Sequence, residues 1–200
     1  MGYQRRAMAL NGKFQTRAED GKLYIEGYFA VFGGQYRLWD NAYETIEPGA
    51  FDGQTGEDIR ALVNHDSTLV LGRTTVGTLT LKQNEQGLWG VIEINQADQD
   101  AMNLYERVKR GDVSQCSFGF DILDEWTEQK ENGVTIWHIR KVKLYEVSVV
   151  TFPAYESTEV QARKTSFENI AKRKAEVWRK TMQSRLKGVQ NGTESTDATP

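Results

Sequence analysis

Cys116-Ser117-Phe118-Gly119-Phe120 stands inside the β-prone run from Val113 to Leu123, and its alternation decides how the chain is read. Successive residues of an extended strand point to opposite faces, so Cys116 and Ser117 cannot share one. Cys116, Phe118 and Phe120 have the same parity and form the apolar set, a free cysteine behaving as a small buried hydrophobe. Ser117 then faces the other way with Gly119, whose missing side chain leaves room for an approaching backbone. Two more β-prone runs follow, Thr135 to Lys143 and Leu144 to Phe152, the second stopped by Pro153.

Upstream, Leu23 to Phe32 is rich in aromatic and β-branched residues and is followed by Gly33-Gly34, the pattern of a strand ending in a turn. Thr45 to Phe51 has turn chemistry at Pro48-Gly49 and is expected to lead into a short helix. Ile59 to Val63 is a brief apolar run that delivers Asn64-His65-Asp66. Val76 to Leu81 and Leu88 to Ile94 flank a polar Gln83 to Gly87, as in a β-hairpin. Between Ala97 and Arg110 the apolar positions Ala101, Leu104, Tyr105 and Val108 fit one buried helical face, closed by Gly111. Many strands, few helices and no βαβ alternation give the expected fold class: mainly β with flanking helices, a closed or nearly closed antiparallel β-barrel.

The barrel is expected over residues 1–163. Residues 164–187 read as a basic amphipathic helix, with Phe167, Ile170, Ala171, Val177, Trp178 and Met182 in a partial stripe, and 188–200 as a disordered polar tail. Charge divides the same way. Residues 1–160 carry 16 Lys+Arg against 24 Asp+Glu, a balance of −8, whereas residues 161–187 carry nine against two, a balance of +7. The basic arm lacks the aromatic interleaving of a base-stacking surface, so no nucleic-acid partner is expected. The single cysteine rules out an internal disulfide framework and suits a reducing compartment. With two histidines and one cysteine, any zinc site would have to draw on carboxylates, and neither metal nor cofactor is expected. No segment approaches the roughly 18 to 20 apolar residues that span a bilayer, and Met1 to Arg6 lacks the apolar stretch of a signal peptide. A soluble intracellular protein with no membrane partner is expected.

A histidine that can take a proton and a hydroxyl that can lose one are the minimum parts of a serine nucleophile, so His65 and Ser117 point first to a hydrolase. Cys116 is the minor alternative as nucleophile. Ser148 and Ser114 read as ordinary serines, and Arg73 either binds substrate or pairs with a carboxylate of the acidic body.

Several blocks, in order, resemble the HK97-type prohead protease family of tailed phages: Gly27 to Phe32, Glu47 to Phe51, Asn64-His65-Asp66, Leu71-Gly72-Arg73, Gly77-Thr78-Leu79, Gly87-Leu88, Ser117 to Phe120, and Glu146 to Tyr155. The resemblance covers roughly residues 20–163. Cys116-Ser117-Phe118-Gly119 is also similar to the Cys-Ser-x-Gly nucleophile strand of the herpesvirus assemblins. The resemblance implies a barrel serine endopeptidase that cleaves capsid scaffold, or the scaffolding segment of the major capsid protein, and itself, inside the viral procapsid in the host cytoplasm. Ser117 then matches the nucleophile and His65 the general base. For the third group, Asp66 is expected to point away from the ring of its neighbour, which leaves Glu146 and His138; Glu146 is preferred because it lies in a matched block. The loop from Pro153 to Tyr155 is the expected source of oxyanion donors. A homo-oligomer is compatible with these expectations. The alternative function is a non-catalytic capsid scaffold or assembly module that docks through the basic helix.

Overall fold

The computed structural model describes residues 4–8 and 14–152, together with helical positions between 164 and 183. The chain divides into two units, Met1–Ser157 and Thr158–Pro200. The elements of the first are β1 (Gln4–Met8), β2 (Gln15–Glu19), β3 (Lys22–Val31), β4 (Gln35–Trp39), β5 (Ala42–Ile46), β6 (Arg60–Val63), β7 (Asp66–Arg73), β8 (Leu79–Gln83), β9 (Gly87–Ile94), α1 (Gln99–Arg110), β10 (Gln115–Gln129) and β11 (Thr135–Val150).

The strands form two sheets. One is four-stranded and antiparallel, in the order β2-β3-β9-β8. The other has seven strands: β1-β10-β11-β5-β4, with β6 also on β11 and β7 on β6. The expected closed or nearly closed antiparallel barrel is therefore corrected among the described residues, where a mainly β fold with few helices stands. The sheets are hydrogen-bonded separately, and β11 runs parallel to both β5 and β6. Alternation reveals which residues extend but not which edges meet, and that is why the parallel pairs escaped the sequence reading.

β11 organises the larger sheet. Thr135 to Lys143 and Leu144 to Phe152, expected as two strands, are one strand of 16 residues. β10 pairs along one edge of it throughout. The other edge is shared, β5 taking Thr135 to Ile139 and β6 taking Glu146 to Val149. Between them the amides of Val142 and Leu144 donate to the Ala50 carbonyl (3.1 Å) and to Gln54 Oε1 (3.0 Å). Residues 47–57 thus complete the edge of β11, as a buried backbone requires. They do so as linked turns rather than as the expected short helix, because Gly49 and Gly53 sit at φ of 88° and 76°, outside helical space.

The pleat is interrupted where it matters. The register of β10 on β11 passes from Gly119↔Glu146 to Phe120↔Leu144, so Tyr145 is an extra residue in β11. Such a bulge reverses the parity of everything beyond it. Leu144 and Val147, three residues apart, consequently both belong to the core. That core draws on both sheets, Ile25, Phe29 and Ile92 of the smaller one joining Phe118 and Phe120 of the larger, with Phe51 and Phe118 edge to face at 5.6 Å and Phe118 and Phe120 stacked at 4.9 Å. α1 buries Ala101, Leu104, Tyr105 and Val108, the face its spacing dictates. Asp98 caps its first turn by accepting from the amides of Asp100 and Ala101, and Gly111 at φ 89° ends it.

In the second unit the described positions between 164 and 183 are helical, and Trp178 and Met182 are exposed. Residues 188–200 lie outside the described residues. No described helix is long and apolar enough to cross a membrane.

Candidate active site

β10, β11 and the turn between β6 and β7 build the site. In antiparallel pairing, residues directly opposite project on the same side, with Cβ atoms about 4.5–5.5 Å apart. Ser117 is opposite Ser148 and Gly119 is opposite Glu146, so these four share the face away from Cys116, Phe118 and Phe120. The strand is nonetheless closed on both sides from Cys116 to Phe120, and Ser117 has no solvent exposure.

β6 carries the histidine to that face. Val63 pairs with Asp66, and the two residues between them, Asn64 (φ 50°) and His65 (φ 62°), are both left-handed. This is the two-residue hairpin geometry that ordinarily selects Asn-Gly. Here a histidine takes the second place, at a cost of order 1–3 kcal/mol for a non-glycine residue held in that region. The turn is held down on the end of β11. The Asn64 amide donates to the Val149 carbonyl (3.0 Å), the Thr151 amide to Asn64 Oδ1 (2.9 Å), and the His65 amide to Ser148 Oγ (3.2 Å).

So placed, the His65 ring meets Glu146, with Nδ1 2.6 Å from Oε1. Ser148 Oγ donates to the other carboxylate oxygen, Oε2, at 2.6 Å. The Glu146 side chain is 5% exposed and that of His65 is 10% exposed. His65 Nε2 is buried without a hydrogen-bond partner among the described residues. A carboxylate beside Nδ1 favours the tautomer with its proton on Nδ1 and a lone pair on Nε2, the nitrogen that a general base uses.

The other sequence candidates lie elsewhere or do other work. His138, the alternative third group, bonds through Nδ1 to Glu47 (2.5 Å), approaches Glu128 through Nε2 (3.4 Å) and stacks on Trp126 at 4.0 Å. Asp66 turns from the neighbouring ring and accepts from the Thr68 amide and hydroxyl, which hold its carboxyl below the usual range. Arg73 grips Asp58 with two bonds of 2.6 and 2.8 Å, and this pairing takes the Asp58 carboxyl down to about 2. The Cys116 thiol donates to the Tyr28 carbonyl (3.2 Å), and burial pushes it up to about 12, which suits a packing residue and not a nucleophile. Pro153 to Tyr155, the expected oxyanion loop, lies outside the described residues. Sequence reasoning set aside one residue that the site uses, Ser148, and gave no role to another, Asn64. The Glu146-x-Ser148 spacing was a signal for the first, since it puts both on one face of a strand.

The family described as Caudovirus prohead serine protease matches residues 12–173. Among curated proteins, the prohead protease of Escherichia phage T5 is 31% identical over 105 residues, 52% of this chain and 45% of its own length. The prohead protease of Enterobacteria phage HK97 is 28% identical over 151 residues, 73% of this chain and 63% of its own length. The chain thus spans less than two thirds of either relative. The solved capsid assembly protease of bacteriophage T4 aligns with a TM-score of 0.47 and 13% identity, covering 76% of this chain and 98% of that one.

Proposed function

The chain belongs to the caudovirus prohead serine protease family, and from that premise we propose that it is a serine endopeptidase in which Ser117 is the nucleophile, His65 the general base and Glu146 the group that orients it. The observation that carries the reading is the 2.6 Å contact between His65 and Glu146, made on the face of the sheet that Ser117 shares. In the first half-reaction Ser117 Oγ attacks the scissile carbonyl while His65 Nε2 takes the hydroxyl proton. The tetrahedral intermediate collapses with release of the amine, which receives that proton, and leaves an acyl-enzyme. Water, activated by the same nitrogen, then frees the acid product and restores Ser117. Glu146 accepts the hydrogen bond of Nδ1–H throughout and stabilises the imidazolium between the two transfers.

The proposed substrates are the capsid scaffold protein or the scaffolding segment of the major capsid protein, together with the chain itself, met inside the procapsid in the host cytoplasm. Family membership supports this choice. An assemblin-like character within the mainly β fold belongs to the same proposal and rests on the Cys116-Ser117-Phe118-Gly119 strand.

Ser117→Ala and His65→Ala are each expected to abolish both scaffold cleavage and labelling by a fluorophosphonate, while melting remains cooperative, since neither change opens a large cavity. Wild-type cleavage by Ser117→Ala ends the mechanism. A second reading, a non-catalytic assembly module docking through the basic segment, is favoured by exposed Trp178 and Met182 among exposed Lys172, Arg179 and Lys180. It predicts that wild-type protein joins procapsids but neither cleaves scaffold nor takes the label.

A further inference from the structure

We propose that Ser148 is a positioning residue of the site, its one hydroxyl setting both the carboxylate of Glu146 and the backbone of His65. This deepens the endopeptidase reading and rests on it. Ser148 is fully buried, stands opposite Ser117 across the sheet, and lies two residues from Glu146 on the same strand. Its oxygen receives the His65 amide at 3.2 Å and gives its proton to Glu146 Oε2 at 2.6 Å.

A hydroxyl has a single proton, so these contacts define its direction. The amide of His65 can only donate. The proton of Ser148 is therefore directed away from it, onto the carboxylate. With Ser148 donating to Oε2 and Nδ1–H to Oε1, each oxygen of Glu146 acts as an acceptor, which fits the ionised form and the tautomer that leaves a lone pair on Nε2. The two bonds also tie a strained turn to the strand carrying the acid. Imidazole and carboxylate are thereby oriented against one another through a common atom, and not only through their own 2.6 Å contact. Asn64 adds a second tether through the Thr151 amide. Ser148 meets both partners at once.

The test uses the full chain, a fluorophosphonate as the probe of Ser117, and 15N spectra of the imidazole. Loss of the hydroxyl in Ser148→Ala is expected to slow labelling by about tenfold to a hundredfold, the scale on which small misplacements of reacting groups act. It is also expected to change the pH profile of labelling and to reduce the population of the Nδ1–H tautomer in a protein that still melts cooperatively. Ser148→Thr, which keeps the hydroxyl, should recover most of the rate and the wild-type spectrum. If Ser148→Ala does not fold, Ser148→Cys, close in shape but a weak donor, takes its place. A folded variant without the hydroxyl that keeps wild-type rate, pH profile and tautomer overturns the proposal. Failure of the wild-type protein to take the label at Ser117, or equal labelling in His65→Ala, overturns instead the endopeptidase reading on which it rests.

Discussion

His65 makes its contact from a backbone conformation that its residue type seldom adopts, and three hydrogen bonds to the last residues of β11 and the chain just beyond hold it there. The ring orientation is therefore a property of the β6–β7 turn as much as of Glu146. Replacing the acid by its amide separates these contributions. In Glu146→Gln the side-chain NH₂ can donate to Nδ1, which moves the imidazole proton to Nε2 and removes the lone pair that the proposed mechanism requires. A fall in labelling and cleavage on the order of 10²- to 10⁴-fold is expected with the turn intact, as for other sites where the tautomer is reversed. A rate within error of wild type would remove Glu146 from the mechanism. At this scale the meeting of His65 with Glu146 was legible, because both lie in matched blocks, and so was the face of Ser117, because its parity opposes that of Cys116 and Phe118. Ser148 was not, since a serine in an apolar strand carries no mark until its neighbour two residues away is known to bear a buried carboxylate.

β11 joins these residues because, among the described strands, it alone lies beside both β10, which carries Ser117, and β6, which leads to His65. Strand existence was largely readable from alternation, and α1 was readable in its buried face and its stop, because caps and periodicity are local. Partnering was not, since the parallel approach of β5 and β6 depends on chain paths many residues long. Parity counting also has a limited reach. Across Tyr145 it fails by one, so a face inferred from Leu144 cannot be carried to Val147. The β6–β7 pair has its own clasp, the bidentate Asp58–Arg73 contact with Arg60 alongside. The folded protein holds the Asp58 carboxyl near 2, so the unfolded chain binds that proton more readily. The clasp's contribution is accordingly full above the ordinary carboxylate range and lost as pH falls through about 2. The difference in urea midpoint between wild type and Asp58→Asn should be present at pH 7, shrink in high salt because the pair is exposed, and close as pH drops from about 4 toward 2. A difference that persists in acid would show the clasp acting by other means.

The whole molecule pairs an acidic first unit, where the core runs from Phe14 to Val149, with a basic segment in the second. Since the described core lies within Met1–Ser157, removing residues 158–200 is expected to leave the melting transition and the labelling of Ser117 unchanged while abolishing incorporation into procapsids. Undiminished incorporation would free the basic segment from any part in recruitment, and loss of labelling would show that the second unit supports the site. The complete burial of Ser117 has a kinetic consequence at the same scale. On the mechanism proposed above, a peptide cannot reach a hydroxyl that water cannot touch, so acylation would wait for neighbouring chain to swing aside, and the frequency of that opening would set a ceiling on turnover. Raising the reagent concentration would then cease to speed acylation once every opening is used, and a labelling rate that rises without limit would show that Ser117 is reached without one.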